Sequence, residues 1–155
     1  MKHWLLKTEP TTFSIQDLAA SPAQTTCWEG VRNYQARNFL RDEMKVGDRV
    51  LLYHSNADPS AVVGTASVVR AAYPDASAFD RKDPHFDSKS KPAEPTWFMA
   101  DIQLDRIFDT PLSLATLRLV KALQGMELLR KGSRLSVQPV REAEYEAILK
   151  LALAH

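Results

Sequence analysis

Hydrophobic and polar positions alternate over residues 2–7, where Trp4 and Leu6 oppose His3 and Lys7, and this period of two predicts a strand. Ser14, with Asp17 three residues on, has the spacing of a capping box. Phe13 and Leu18 around it are placed as a hydrophobic staple, so a short helix follows until Ser21 and Pro22 stop it. From Asn33 the period lengthens: Ala36, Phe39, Leu40 and Met44 form one stripe, the mark of a second helix. Gly47 and Asp48 then turn the chain into an apolar strand at residues 49–54. Residues 61–73 are rich in valine and apolar on both parities, as in a strand covered on both faces.

The pattern fails between residues 74 and 95. This stretch holds four prolines together with Asp75, Asp80, Asp83, Asp87, Lys82, Lys89 and Lys91, and keeps no period. An irregular segment of this length inside a compact domain is often functional. Alternation returns at 96–108, where Phe98, Ala100, Ile102 and Leu104 share one face and Trp97, Met99, Asp101 and Gln103 the other. Ser113 is placed to cap a helix with a Leu112–Leu117 staple. Residues 123–129 predict a further short helix ending at Lys131 and Gly132, and 135–140 a short strand. The final helix should bury Tyr145, Ile148, Leu149 and Ala152, with Glu142 and Glu144 near its start and Lys150 near its end complementing the dipole. Strands broken by capped helices, without a βαβ rhythm, predict an α+β domain around a mixed barrel.

Composition narrows the function more than the fold. At 155 residues the chain suits one domain. A formal net charge of +1 excludes a broad basic field for holding nucleic acid without a specific pocket. Cys27 is the single cysteine, so no internal disulfide forms. With no signal peptide or spanning segment evident, a soluble cytoplasmic protein without membrane contact is expected.

Three polar-aromatic segments carry the candidate chemistry: residues 28–38, 53–56 and 131–139. Each mixes rings, amides, hydroxyls and arginines, which a planar hydrogen-bonding ligand such as a nucleobase requires. Arg37 and Arg41 lie four apart on one helical face. Phosphate would relieve their repulsion, and a solvated face balanced by Asp42 and Glu43 is the plainer reading. His54 and Asn56 share a strand face and could meet a base edge. His54 also suits general acid or base chemistry, although Ser55 points the other way and forms no nucleophile pair with it. His54, Asp58, Asp83 and His85 match no tight ligand spacing, so neither metal nor cofactor is expected. Trp97 either covers a pocket or pins the proline-rich excursion. Residues 133–136 read equally as a turn or as a pocket mouth.

Lys7-Thr8-Glu9-Pro10, residues 28–38, Val46-Gly47-Asp48, Tyr53-His54-Ser55-Asn56, Lys89-Ser90-Lys91-Pro92, Trp97-Phe98-Met99 and residues 132–139 together resemble the motif series of the EVE domain. The likeness runs in order from about residue 2 to 150, with Thr8 where serine is frequent and Phe39 where a second asparagine is frequent. It implies a single EVE-like domain over 1–155 with a PUA-like mixed β-barrel flanked by short helices, akin to the YTH readers of methylated adenine. It also implies non-catalytic binding of a modified nucleobase in an aromatic-lined pocket: a 5-substituted cytosine flipped from DNA, or a modified RNA base. By motif, Trp28, Val31, Arg32, Asn33 and Tyr34 would form one wall, and Tyr53, His54, Ser55 and Asn56 another. Trp97, Ser133, Arg134 and Leu135 would close the site. Arg32, Arg37, Arg41 and Arg134 would hold phosphates. The partner is then modified nucleic acid or a modified nucleotide, with a monomer as the default state. The alternatives are an enzyme acting on a modified nucleotide through His54, and a module for a small metabolite or a protein.

Overall fold

The computed structural model describes residues 1–154. Six strands, β1 (His3–Thr8), β2 (Thr25–Cys27), β3 (Arg49–His54), β4 (Ala61–Pro74), β5 (Phe98–Ser113) and β6 (Val137–Val140), form one sheet in the order β2-β5-β4-β3-β1-β6. Four helices accompany it: α1 (Ile15–Ala20), α2 (Tyr34–Asn38), α3 (Leu114–Arg118) and α4 (Glu142–Ala154). Only β1 and β3 pair in parallel, and the chain between them carries the crossover that parallel pairing requires. The expected α+β class holds. The barrel is looser than expected, because β2 and β6 remain as the two edges of an open sheet. Four register shifts in the β4–β5 ladder bend the two long strands, since bulges add twist and curvature without closing the sheet.

Both faces of the central strands are covered. On one side Trp4, Leu6, Val50 and Leu52 pack against Ile15 and Leu18 of α1 and Ala36 of α2. On the other, Leu5, Leu51 and Val62 meet Leu117, Tyr145 and Ile148. Alternation therefore sorts β1 between two cores rather than between core and water. His3 is buried, with its ring 4.5 Å from that of Tyr145. In β4 both faces are buried up to Ala66, whereas Val69 and Arg70 are exposed where the strand runs past its cover.

The helix starts follow the sequence closely. Ser14 accepts from Asp17 N–H and Asp17 from Ser14 N–H, completing the box. Asn33 caps α2 by accepting from Ala36 N–H at 2.9 Å. Beyond Asn38 the helix widens into a π-turn, Phe39–Glu43, which places Met44 N–H on Phe39 C=O. The helix expected at 123–129 is absent. Two 3-10 turns, Lys121–Leu123 and Glu127–Leu129, stand there, separated at Gly125, whose φ of +91° breaks a right-handed helix. In α4, Leu149 is half-buried. Glu144 is buried and reaches back to accept from Arg141 N–H at 2.9 Å, acting as a cap beyond any dipole effect.

Candidate functional site

β1 ends at Thr8, and the loop into α1 passes Thr12 and Phe13. β2 leads out through Thr26 and Cys27 into Trp28 and Glu29. Between these segments lies an open cleft of about 370 Å³, bounded also by Lys7 and His85. Its chemistry is mixed. Phe13 and Trp28 stand edge to face with centroids 6.3 Å apart, and three threonine hydroxyls and two opposite charges surround them. Trp28 is largely buried, and its backbone N–H donates to Ala100 C=O at 2.7 Å, which ties its main chain to the sheet. Partial burial lowers the Lys7 ammonium pKa, against the attraction of Glu127. Burial raises the Glu29 carboxyl, and repulsion from Asp75 and Asp83 adds to it.

Behind the cleft a buried ion pair ties the proline-rich excursion down. Asp75 is fully buried and accepts from Gly30 N–H at 2.8 Å, Ser77 N–H at 2.9 Å and Arg32 Nη1 at 3.0 Å. Burial opposes its charge, but these donors outweigh that and hold its pKa below the ordinary carboxylate value. Arg32 also donates from Nε and Nη2 to His85 C=O, at 3.0 and 2.7 Å. Its guanidinium lies 5.3 Å from the centre of the Trp97 ring, whose Nε1–H donates to Asp87 at 2.7 Å. Trp97 thus pins the excursion, and it precedes β5 instead of lying on the strand's polar face. Tyr34, 62% exposed, leans on Trp97 at 5.0 Å, and Arg37 covers Tyr34 at 5.0 Å while donating to Thr96 C=O.

The residues expected to form one pocket separate into four groups. Trp28, Val31 and Leu135 come together in the core beneath the cleft. Arg32, Tyr34, Arg37 and Trp97 form the aromatic-cation stack, with exposed Asn33 serving as the α2 cap. Tyr53 belongs to the opposite core with Leu5 and Leu51, because neighbouring strand residues face opposite ways and only His54 can point toward Trp28. Ser55 N–H donates to Thr8 C=O, exposed Asn56 pairs with Glu9 at 2.7 Å, and Ser133 donates to Glu127 at 2.9 Å. Arg134 is exposed.

Two expected roles change. His54 is buried and its Nε2 accepts from Ile15 N–H at 3.1 Å, so the basic nitrogen is committed to α1. Arg32 is a structural tie to Asp75, and exposed Arg41 pairs with its neighbour Asp42 at 2.6 Å. Asp83 and His85 do meet, through an Asx turn, but with Glu29 and without His54 or Asp58. The cleft residues Lys7, Thr8, Thr12, Phe13 and Thr26 were given no site role by the sequence, and Glu29 fell within segment 28–38 without a role of its own. Phe13 had been accounted for as a staple, and Thr8 carried a signal only as part of the Lys7–Pro10 motif.

The EVE domain family matches residues 2–151, and the chain belongs to that family. It is similar to thymocyte nuclear protein 1 of Gallus gallus, 46% identical over 165 residues that cover 96% of this chain and 68% of that one. A hypothetical protein from Leishmania major, 45% identical, matches with a TM-score of 0.93 over 99% of this chain and 96% of that chain. The human THYN1 protein, solved in complex with 5-methylcytosine-containing DNA, is 41% identical with a TM-score of 0.92 over 98% of each chain. Among the described residues no helix is long and apolar enough to cross a membrane. The relatives' name places them in the nucleus, so it lends nothing to the cytoplasmic location expected from sequence.

Proposed function

We propose that this protein is a non-catalytic reader of DNA carrying a 5-substituted cytosine, and that the flipped base enters the cleft that Phe13 and Trp28 line. The observation that carries the reading is the human relative solved with 5-methylcytosine DNA, whose fold matches this chain with a TM-score of 0.92. The cleft supports it in size and chemistry. A volume of about 370 Å³ lies within the range of small-ligand sites, roughly 300–1,000 Å³. The rings offer stacking and a surface for an added methyl group. Glu29 is a carboxylate suited to accept from the cytosine amino group, and Lys7 and the threonines offer polar partners for the remaining edge. Extruding a base costs a few kcal/mol, and each base–ring stack returns about 1–3 kcal/mol. The exposed Tyr34 ring and half-buried Arg37, on the neighbouring stack, would meet the flanking backbone.

An enzyme working through His54 has less support, since the nitrogen it would use is occupied by Ile15 N–H in the interior. The test is binding of a fluorescent duplex with one central 5-methylcytosine, against the same duplex unmodified. Preference for the methylated duplex is expected, with Phe13→Ala and Glu29→Gln each weakening it roughly tenfold, about the worth of one stack or one polar base contact. Equal affinity for both duplexes, unchanged in both variants, would remove the base from the cleft. Conversion of the modified base during incubation would restore the enzyme reading.

A further inference from the structure

We propose that Glu29, Asp83 and His85 form a binding site for a divalent transition-metal ion at the rim of the cleft, with Zn²⁺ as the best-suited class of ligand. One oxygen from each carboxylate and one imidazole nitrogen lie within 4.8 Å of one another. A carboxylate–carboxylate–imidazole set suits zinc and its first-row neighbours, which accept both donor types.

Two of the three ligands are already held in place. Asp83 Oδ1 accepts from His85 N–H at 2.8 Å, closing a turn that presents both side chains on one side. His85 C=O is gripped twice by Arg32, and its ring lies against Gly30, so the imidazole has little freedom. His85 Nδ1 is shielded from solvent and makes no hydrogen bond, although Asp83 Oδ1 is 3.2 Å away. That separation suits two ligands of one ion: donors about 2.0–2.1 Å from a tetrahedral metal lie about 3.3 Å apart. Glu29 is exposed and free to swing the remaining distance.

The surrounding charge favours a cation. The charges of Asp75 and Asp83 both repel that of Glu29, and Arg32, the nearby countercharge, is spent on buried Asp75. A bound ion would join the segment after β2 to the excursion, with its remaining positions open to water or to a group entering the cleft.

Glu29 is shared with the DNA reading, and the two are separated by testing metal binding without nucleic acid. Tag-free protein, stripped with chelator, is titrated with zinc chloride by calorimetry and followed in parallel by thermal melting. One ion per chain and a raised Tm are expected. Loss of an outer partner of a metal ligand already costs roughly 10–100-fold in affinity, so Glu29→Gln, Asp83→Asn and His85→Gln should each lose at least about tenfold. Glu29→Gln is decisive if His85→Gln disturbs the fold, since Glu29 is exposed and makes no packing contribution to the core. Cys27→Ser, a second donor in the same cleft, should leave binding unchanged. No saturable binding in the wild type, full retention in Glu29→Gln, or a comparable loss in Cys27→Ser overturns the assignment.

Discussion

The imidazole of His85 rests directly on Gly30, so closely that a Cβ at position 30 would lie 2.6 Å from Nε2. Gly30 also has a φ of +82°, a conformation that side chains disfavour. Contact and backbone together explain why the chain can turn from Trp28 into Arg32 while the excursion folds back over it. Gly30→Ala should lower stability by about 2–3 kcal/mol, backbone strain and the displaced ring both contributing. It should also speed tryptic cleavage at exposed Arg81, Lys82 and Lys89. Urea unfolding and a proteolysis time course check both; an unchanged cleavage rate would show that this contact does not hold the excursion.

Arg32→Ala makes a sharper demand. It leaves Asp75 buried without its countercharge, and breaking a buried pair from one side costs about 3 kcal/mol or more. Asp75→Asn with Arg32→Ala should recover part of that loss, because the uncompensated charge is gone. If the double variant is no more stable than Arg32→Ala alone, the guanidinium matters through its two bonds to His85 C=O and not through charge.

How much of this the sequence disclosed depended on how local the cause was. The caps at Ser14 and Ser113 were legible because a capping hydrogen bond spans three residues. Strand alternation showed β1 and most of β5 for the same reason, and an apolar run after the Gly47-Asp48 turn showed β3. The missing helix at 123–129 turned on one left-handed glycine in an apolar run that reads equally as helix or turn. The site was legible only by segment. Arg32 and Trp97 look like pocket residues because rings and arginines suit bases, yet their partners Asp75 and Asp87 lie in the patternless excursion. A pairing 43 residues apart leaves no periodic trace. Tyr53 parts from His54 for a simpler reason: consecutive strand residues face opposite sides of the sheet.

His54 gives a pH dependence with a definite sign. Burial lowers its folded-state pKa below the ordinary 6.5, and neutral Nε2 is needed to accept from Ile15 N–H. Below 6.5 the unfolded chain therefore binds the proton more readily than the folded one. The contribution of His54 is complete above that pH and is lost as pH falls through the lowered folded value. Urea midpoints should drop on acidification from 7 toward 5, and His54→Gln should be less stable at pH 7 yet flatter over this interval. An equal slope in the variant would assign the effect to another group.

Salt separates a reader of DNA from a binder of free nucleosides. Each phosphate contact lowers log affinity for duplex by about 0.9 per unit of log salt. Of the four arginines expected to hold phosphate, Arg32 is engaged internally and Arg41 is neutralised by Asp42, while Arg37 shares its guanidinium with Thr96 C=O. Arg134 is exposed and makes no hydrogen bond or ion pair among the described residues; it directly precedes Leu135, which packs in the same core as Trp28. The slope should therefore be shallow, equivalent to about two contacts. Arg134→Ala should flatten it by about one contact, Arg41→Ala by less, and Arg32→Ala should act on stability instead. The isolated modified nucleoside should respond little to salt, because stacking and edge hydrogen bonds release no counterions. Fluorescence anisotropy from 50 to 300 mM salt, on the order of the range where such slopes are read, makes the comparison. If duplex and nucleoside bind alike throughout, with Arg134→Ala indistinguishable from the wild type, the cleft serves a small molecule and the backbone of DNA plays no part.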